Sequence, residues 1–112
     1  MISFGVSTAP PNQALQGRGR ARYGDDVTII PPSGWTPSDD GKALERSYRF
    51  ADFAAAFAFL TRVAAHAEAV DHHPEFTNVW NRVDFRLTSH DVDGLSERDV
   101  ALALAIDALA AG

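Results

Sequence analysis

The sequence predicts an α+β domain, and three observations carry that prediction. Residues 44–50 and 76–88 alternate with a period of two, an alanine-rich stretch between them repeats apolar residues at helical spacing, and a second helical stretch opens after Ser96. The order is strand, strand, helix, strand or strands, helix. Hairpin-connected strands with helices gathered on one face make an α+β arrangement.

The bulk numbers agree with one globular unit. The chain has 112 residues, 46% of them hydrophobic and 22% charged, which suits a single folded core. A net charge of -5 argues against a general grip on nucleic acid phosphate, which needs a basic surface. There is no cysteine, so disulfides, thiolate nucleophiles and thiolate-held metals are excluded. The first residues have no basic region ahead of an apolar run, and no apolar run is read as long enough to span a bilayer. The expected setting is the cytoplasm, with no membrane and no direct nucleic acid partner.

Residues 1–34 read as an irregular N-terminal arm, and residues 35–112 as the folded domain. The arm holds Pro10-Pro11, Pro31-Pro32, five glycines and the basic cluster Arg18, Arg20, Arg22. Val27–Ile30 is a candidate short strand ended by the proline pair. Three arginines among glycines are weak evidence for an RNA or membrane ligand.

Within the domain, Trp35 lies on or near a first strand, and Ser38-Asp39-Asp40-Gly41 forms the turn after it. Leu44, Arg46, Tyr48 and Phe50 alternate with polar neighbours as a strand. Asp52 is a good helix N-cap. Phe53, Phe57, Leu60, Ala64, Ala67 and Val70 recur at helical spacing, giving about five turns. Pro74 stops that helix near Asp71, because the residue before proline avoids helix. Val79, Val83, Phe85 and Leu87 then share one parity, as one long strand or as two short ones with Asn81 in a tight turn. Ser96 and Asp99 open the last helix with a capping box. Its stripe is Leu102, Ile106 and Leu109, yet Val100, Ala103, Leu104 and Ala108 leave few polar faces. A helix apolar nearly all round needs cover on more than one side, and a second subunit is a source of it.

The chemistry-bearing residues are His72 and His73 just past the long helix, and His90 at the end of a strand. Histidine gives and takes protons near neutrality. Glu68 stands four residues before His72 and Asp71 directly before it, so a carboxylate is at hand to fix a tautomer. His90 joins the pair only if its strand end lies beside the helix end. The plain alternatives are solvated loop histidines, a structural His66, a purely capping Asp99, and sheet packing for Phe76 and Trp80. Zinc ligation fits poorly, since the helical i, i+4 histidine pair is absent. A Ser89 nucleophile fits worse, since sequence neighbours do not make a nucleophile–base geometry.

The text from Phe50 to Leu109 resembles the pterin-4a-carbinolamine dehydratases, also known as dimerization cofactors of a homeodomain transcription factor. The likeness is carried by Phe57-Ala-Phe-Leu-Thr-Arg-Val63, Ala67-Glu68, Asp71-His-His-Pro-Glu75, Asn78-Val79-Trp80-Asn81, Thr88-Ser-His-Asp91 and Gly94-Leu-Ser-Glu-Arg-Asp99, with Gly34-Trp35 upstream. The resemblance implies a four-stranded antiparallel sheet with helices on one face. It implies a homodimer or tetramer, and a hydro-lyase that removes water from 4a-hydroxytetrahydropterin in tetrahydropterin recycling. No cofactor or metal is implied, the pterin being the substrate. By motif position His72, His73 and His90 are catalytic: His72 and His90 as acid and base, His73 as binder. Glu68 and Asp99 orient imidazoles, Pro74 and Phe76 form an apolar wall, Asp71 belongs to the same set, and Thr88 and Ser89 offer polar contacts. Some relatives are instead transcriptional partners or assembly factors. The assembly branch lacks the full histidine set, which this chain retains. Two departures stand out. Phe76 replaces a frequent tryptophan, and residues 12–33 make a poor version of the family's first helix, so that either a short irregular helix forms around Asn12–Arg22 or that layer is altered.

Overall fold

The computed structural model describes residues 29–112. Its elements are β1 (Thr36–Pro37), β2 (Leu44–Arg49), α1 (Phe53–Val70), β3 (Glu75–Val79), β4 (Arg82–Leu87), a short 3-10 turn at His90–Val92, and α2 (Glu97–Ala111). The strands form a four-stranded antiparallel sheet in the order β1-β2-β4-β3. Ile29 and Ile30 belong to no strand. Val27–Thr28, the Arg18–Arg22 cluster and the irregular helix expected around Asn12–Arg22 lie outside the described residues.

The alternation read from sequence sets the two faces of the sheet. Leu44, Val83, Phe85 and Leu87 are buried on the helix side, with Tyr48 and Phe50 packed against them. Across the pairing register, Glu45, Arg86 and Glu75 form one row on the opposite, polar face, and Ser47, Asp84 and Thr77 form the next. The stretch 76–88 is two strands. The turn between them is Trp80-Asn81, with Val79 opposite Arg82. The two-residue turn also breaks the shared parity expected for Val79, which is exposed while Val83, Phe85 and Leu87 are buried.

Helix α1 is capped as the sequence predicts. The Asp52 carboxylate accepts the Ala55 N–H at 2.8 Å, and the helix ends at Asp71, whose φ is +54°. Its buried stripe is rotated from the expected one. Ala56, Phe59, Leu60, Val63 and Ala67 face the core, while Phe53, Phe57 and Val70 are exposed. So many small apolar residues surround this helix that two stripes fit the spacing. The sheet selects the one that sends Phe59 between Tyr48 and Phe85, at ring separations of 5.4 and 5.9 Å. Helix α1 is also long and apolar enough, by length and composition, to cross a membrane. That corrects the expectation that no run reaches such a length, although this helix buries one side on the sheet.

Helix α2 contributes Leu102, Ala103 and Ile106 to the core and leaves Leu104 exposed. Asp107 on α2 gathers three donors. The Trp35 indole N–H lies 3.0 Å away, Arg46 Nη1 lies 3.1 Å away, and the Tyr48 hydroxyl donates to the same carboxylate. This explains how Arg46 sits on the apolar face of β2. Its charge is paired and its guanidinium lies 4.7 Å from the Tyr48 ring centre.

Candidate active site

The end of α1 fixes where the first two histidines go. Asp71 is left-handed, its N–H points to Glu68 O, and the His72 N–H bonds to Ala67 O at 3.2 Å. Those two contacts are the paired closing bonds of a Schellman turn. Aspartate tolerates the left-handed conformation better than most residues. The chain is thereby turned out of the helix at a defined angle, with His72 and His73 as the next two side chains.

His72 is mostly enclosed. Its side chain is 11% exposed and its Nε2 lies 2.7 Å from Oδ1 of Asp99, which is fully buried. Asp99 is the third residue of α2, and its Oδ2 accepts the Ser96 N–H at 3.0 Å and the Ser89 hydroxyl at 2.7 Å. The capping box expected from sequence is present, and its carboxylate serves a second partner across the fold. His73 pairs with Glu68, Nε2 to Oε1 at 2.9 Å, in a far more open setting. Glu68 was expected to face the histidine pair, and it selects His73.

His90 begins the short 3-10 turn after β4 and is 85% exposed at its side chain. Its Nε2 stands 3.9 Å from Oε2 of Glu75, the residue two beyond His73. A backbone bridge between Ser89 and Gly94 closes this turn, with Ser89 N–H to Gly94 O at 2.8 Å. Arg98 to Asp91 at 2.5 Å and Lys42 to Asp93 at 3.0 Å tie it down further. The strand end that carries His90 thus lies beside the end of α1 in a specific way. His90 reaches His72 through Ser89 and Asp99 on one side, and approaches the strand start after His73 through Glu75 on the other.

The other expected site residues divide into those near open space and those behind it. Phe76 is exposed on the helix-side face of edge strand β3, 6.3 Å from the Phe85 ring. Thr88 donates to Lys42 O at 2.7 Å. Pro74 is half-buried between His73 and Glu75. Asp71 Oδ2 is buried without a hydrogen-bond partner among the described residues. Ser89, expected as a polar contact for a ligand, is instead buried and bonded to Asp99 and Ser96. Asp99 is buried too, and of the two it is the one that meets His72. A depression of about 380 Å³ lies on the polar sheet face against Glu45, Ser47, Thr77, Asp84 and Arg86; Glu75 and Phe76 line it, and the three histidines do not. Sequence reasoning missed Glu75 as the residue beside His90. Its place two residues after His73, directly past Pro74, was the available signal.

An open antiparallel sheet with two helices, carrying histidine–carboxylate pairs where α1, β4 and α2 meet, makes this a small α+β protein. The profile of the family described as pterin 4 alpha carbinolamine dehydratase matches residues 25–109. The chain belongs to that family. A relative from Rhizorhabdus wittichii, provisionally named a pterin-4-alpha-carbinolamine dehydratase, is 63% identical over 86 residues, covering 77% of this chain and 87% of its own length. One from Burkholderia multivorans with the same provisional name is 57% identical over 77 residues, covering 69% and 76%. Among solved structures, a transcriptional coactivator/pterin dehydratase from Brucella melitensis superimposes with a TM-score of 0.67 at 42% identity, covering 69% of this chain and 82% of that one. A pterin dehydratase-like protein identified as a RuBisCO assembly factor in the alpha-carboxysome gives 0.62 at 28% identity, covering 69% and 89%.

Proposed function

We propose that this chain is a 4a-hydroxytetrahydropterin dehydratase, and that His72, His73 and His90 carry the reaction. The observation that supports it most is the buried His72–Asp99 pair at 2.7 Å, in a chain of this family that keeps all three histidines. The reaction breaks one C–O bond. The hydroxyl on the bridgehead carbon is protonated and leaves as water, electrons from the ring nitrogen fill the vacancy, and the ring N–H proton goes to a base. One proton is given and one is taken, which imidazoles near neutral pKa do well. Neither a metal nor a covalent intermediate is required by this chemistry.

In this reading His72 and His90 are the acid and base, and His73 binds the pterin and shares in proton transfer. Glu68 and Asp99 orient imidazoles. Phe76 and Pro74 offer apolar surface to a flat ring, while Asp71 and Thr88 supply polar contacts. A cytoplasmic setting, tetrahydropterin recycling as the pathway, and assembly as a homodimer or tetramer belong to the same reading.

Stopped-flow dehydration of freshly generated carbinolamine, with a chelator present, tests it. Acceleration over the spontaneous reaction that persists in chelator supports the assignment. No acceleration would leave the chain a non-catalytic binding module of this fold, whose solved members include a RuBisCO assembly factor.

A further inference from the structure

We propose that Ser89, backed by Ser96, is a positioning residue that aims Asp99 and fixes His72 with its proton on Nε2, leaving Nδ1 as the nitrogen that exchanges protons with the ligand. This rests on the acid/base reading of the site given above.

The direction of every hydrogen bond around Asp99 follows from counting protons. Ser96 Oγ accepts the Arg98 backbone N–H at 3.2 Å and the Arg98 Nε–H at 3.3 Å. Ser89 Oγ lies 2.7 Å from Ser96 Oγ and 2.7 Å from Asp99 Oδ2. A hydroxyl has one proton, and an ionised carboxylate only accepts. The Ser89 proton is therefore committed to Asp99, and Ser89 Oγ accepts from Ser96. The donors run in one order, from Arg98 to Ser96 to Ser89 to Asp99.

His72 faces the other oxygen of the same carboxylate, Nε2 to Oδ1 at 2.7 Å. With no proton on Asp99 to receive, Nε2 has to donate. A neutral imidazole has one N–H, so the lone pair sits on Nδ1. Among the described residues the ring's side-chain hydrogen bond is made by Nε2, so Nδ1 is the atom left for chemistry.

Ser89 does this from a particular place. It is 1% exposed, so it is not a ligand contact. The cap of α2 needs Ser96 and Asp99 but makes no use of the Ser89 hydroxyl. Ser89 also anchors, through its backbone bridge to Gly94, the turn that carries His90. One side chain thus joins the support of His72 to the strand end that holds the second proton-transfer candidate.

Long-range 15N–1H NMR of the imidazoles in the full chain, above their titration range, reads the tautomer directly. The wild type is expected to carry the His72 proton on Nε2. Ser89→Ala is expected to keep the proton on Nε2, because Asp99 still only accepts, but to lower kcat about tenfold at unchanged KM as the carboxylate loses its aim, with Ser89→Thr restoring it. Asp99→Asn, which presents an amide N–H to Nε2, is expected to invert the tautomer. A wild-type ring protonated on Nδ1, or Ser89→Ala with wild-type kcat, overturns the proposal. The wild-type measurement needs no variant to fold and no turnover. The expected tautomer in a protein without dehydratase activity would uphold the positioning role and sink the functional reading alone.

Discussion

The Arg46 guanidinium occupies the space that a side chain on Gly34 would need. Gly34 has φ +91°, and a Cβ built there would collide with the Arg46 Nη1 and Cζ atoms. The same guanidinium bonds to Asp107 at 3.1 Å, so the glycine before Trp35 makes room for the link between β2 and α2. Gly34→Ala is expected to destabilise by about 1–3 kcal/mol, from backbone strain alone, with a further loss as Arg46 is displaced. Gly41, at φ +73° with nothing near its missing Cβ, is the control: Gly41→Ala pays only the backbone part. Urea midpoints at constant m-value measure both. Equal costs at the two glycines would show that the Arg46 contact contributes nothing.

Tyr48 predicts an alkaline limit to stability. Burial first, then its hydrogen bond to Asp107 and that carboxylate's charge, push the phenol well above its ordinary 10.0. The fold therefore favours the neutral hydroxyl. The resulting stability is complete below the unfolded value of 10.0 and is lost as pH rises above it. Tyr48→Phe removes this dependence. The urea midpoint should fall more steeply between about pH 9 and about pH 11 in the wild type than in the variant. Parallel curves would mean that the hydroxyl is no more protected in the fold than in the unfolded chain.

Much of this was legible in the sequence, for reasons that the same residues show. Leu44, Val83, Phe85 and Leu87 alternate because one face of the sheet is buried, and Asp52 and Ser96 announce their helices because caps are local chemistry. What depended on distant partners was less visible. Phe57 and Phe59 satisfy helical spacing equally well along an alanine-rich helix, and only the position of Tyr48 and Phe85 decides between them. Nothing in the sequence singles out Asp107 on α2, on which Trp35, Arg46 and Tyr48 converge in the fold. The family resemblance implies a ligand contact at Ser89, whereas the fold sends its hydroxyl inward to Asp99. The histidines were found by residue type and motif spacing, but their division between an enclosed His72 and an open His90 is tertiary.

That division separates catalysis from stability. His90 is 85% exposed, so His90→Ala is expected to change stability by no more than about 0.5 kcal/mol. If His90 is the acid or base of the proposed reaction, the same change lowers turnover by roughly 10²–10⁴-fold. His72→Ala is expected to do both, because it leaves the buried Asp99 oxygen without its partner, at a cost of about 1–3 kcal/mol. Stopped-flow rates beside urea denaturation distinguish the two. Turnover within tenfold of wild type in both variants would remove them from the mechanism.

The β3–β4 hairpin predicts a substitution that stabilises. Trp80 is 64% exposed and has φ +50°, a conformation that costs most side chains about 1–2 kcal/mol. The turn is held there by its neighbours. The Asn78 amide donates to Trp80 O at 3.1 Å and to Arg82 O at 2.9 Å, and Asn81 exchanges hydrogen bonds with the Phe50 backbone. Replacing Trp80 with asparagine keeps all of these and relieves the strain, since asparagine enters the left-handed region readily. Trp80→Asn should therefore raise stability by about 0.5–1 kcal/mol in urea denaturation of the isolated chain. A loss instead would mean that the indole makes contacts worth more than the strain it imposes, and would move Trp80 from hairpin geometry into packing.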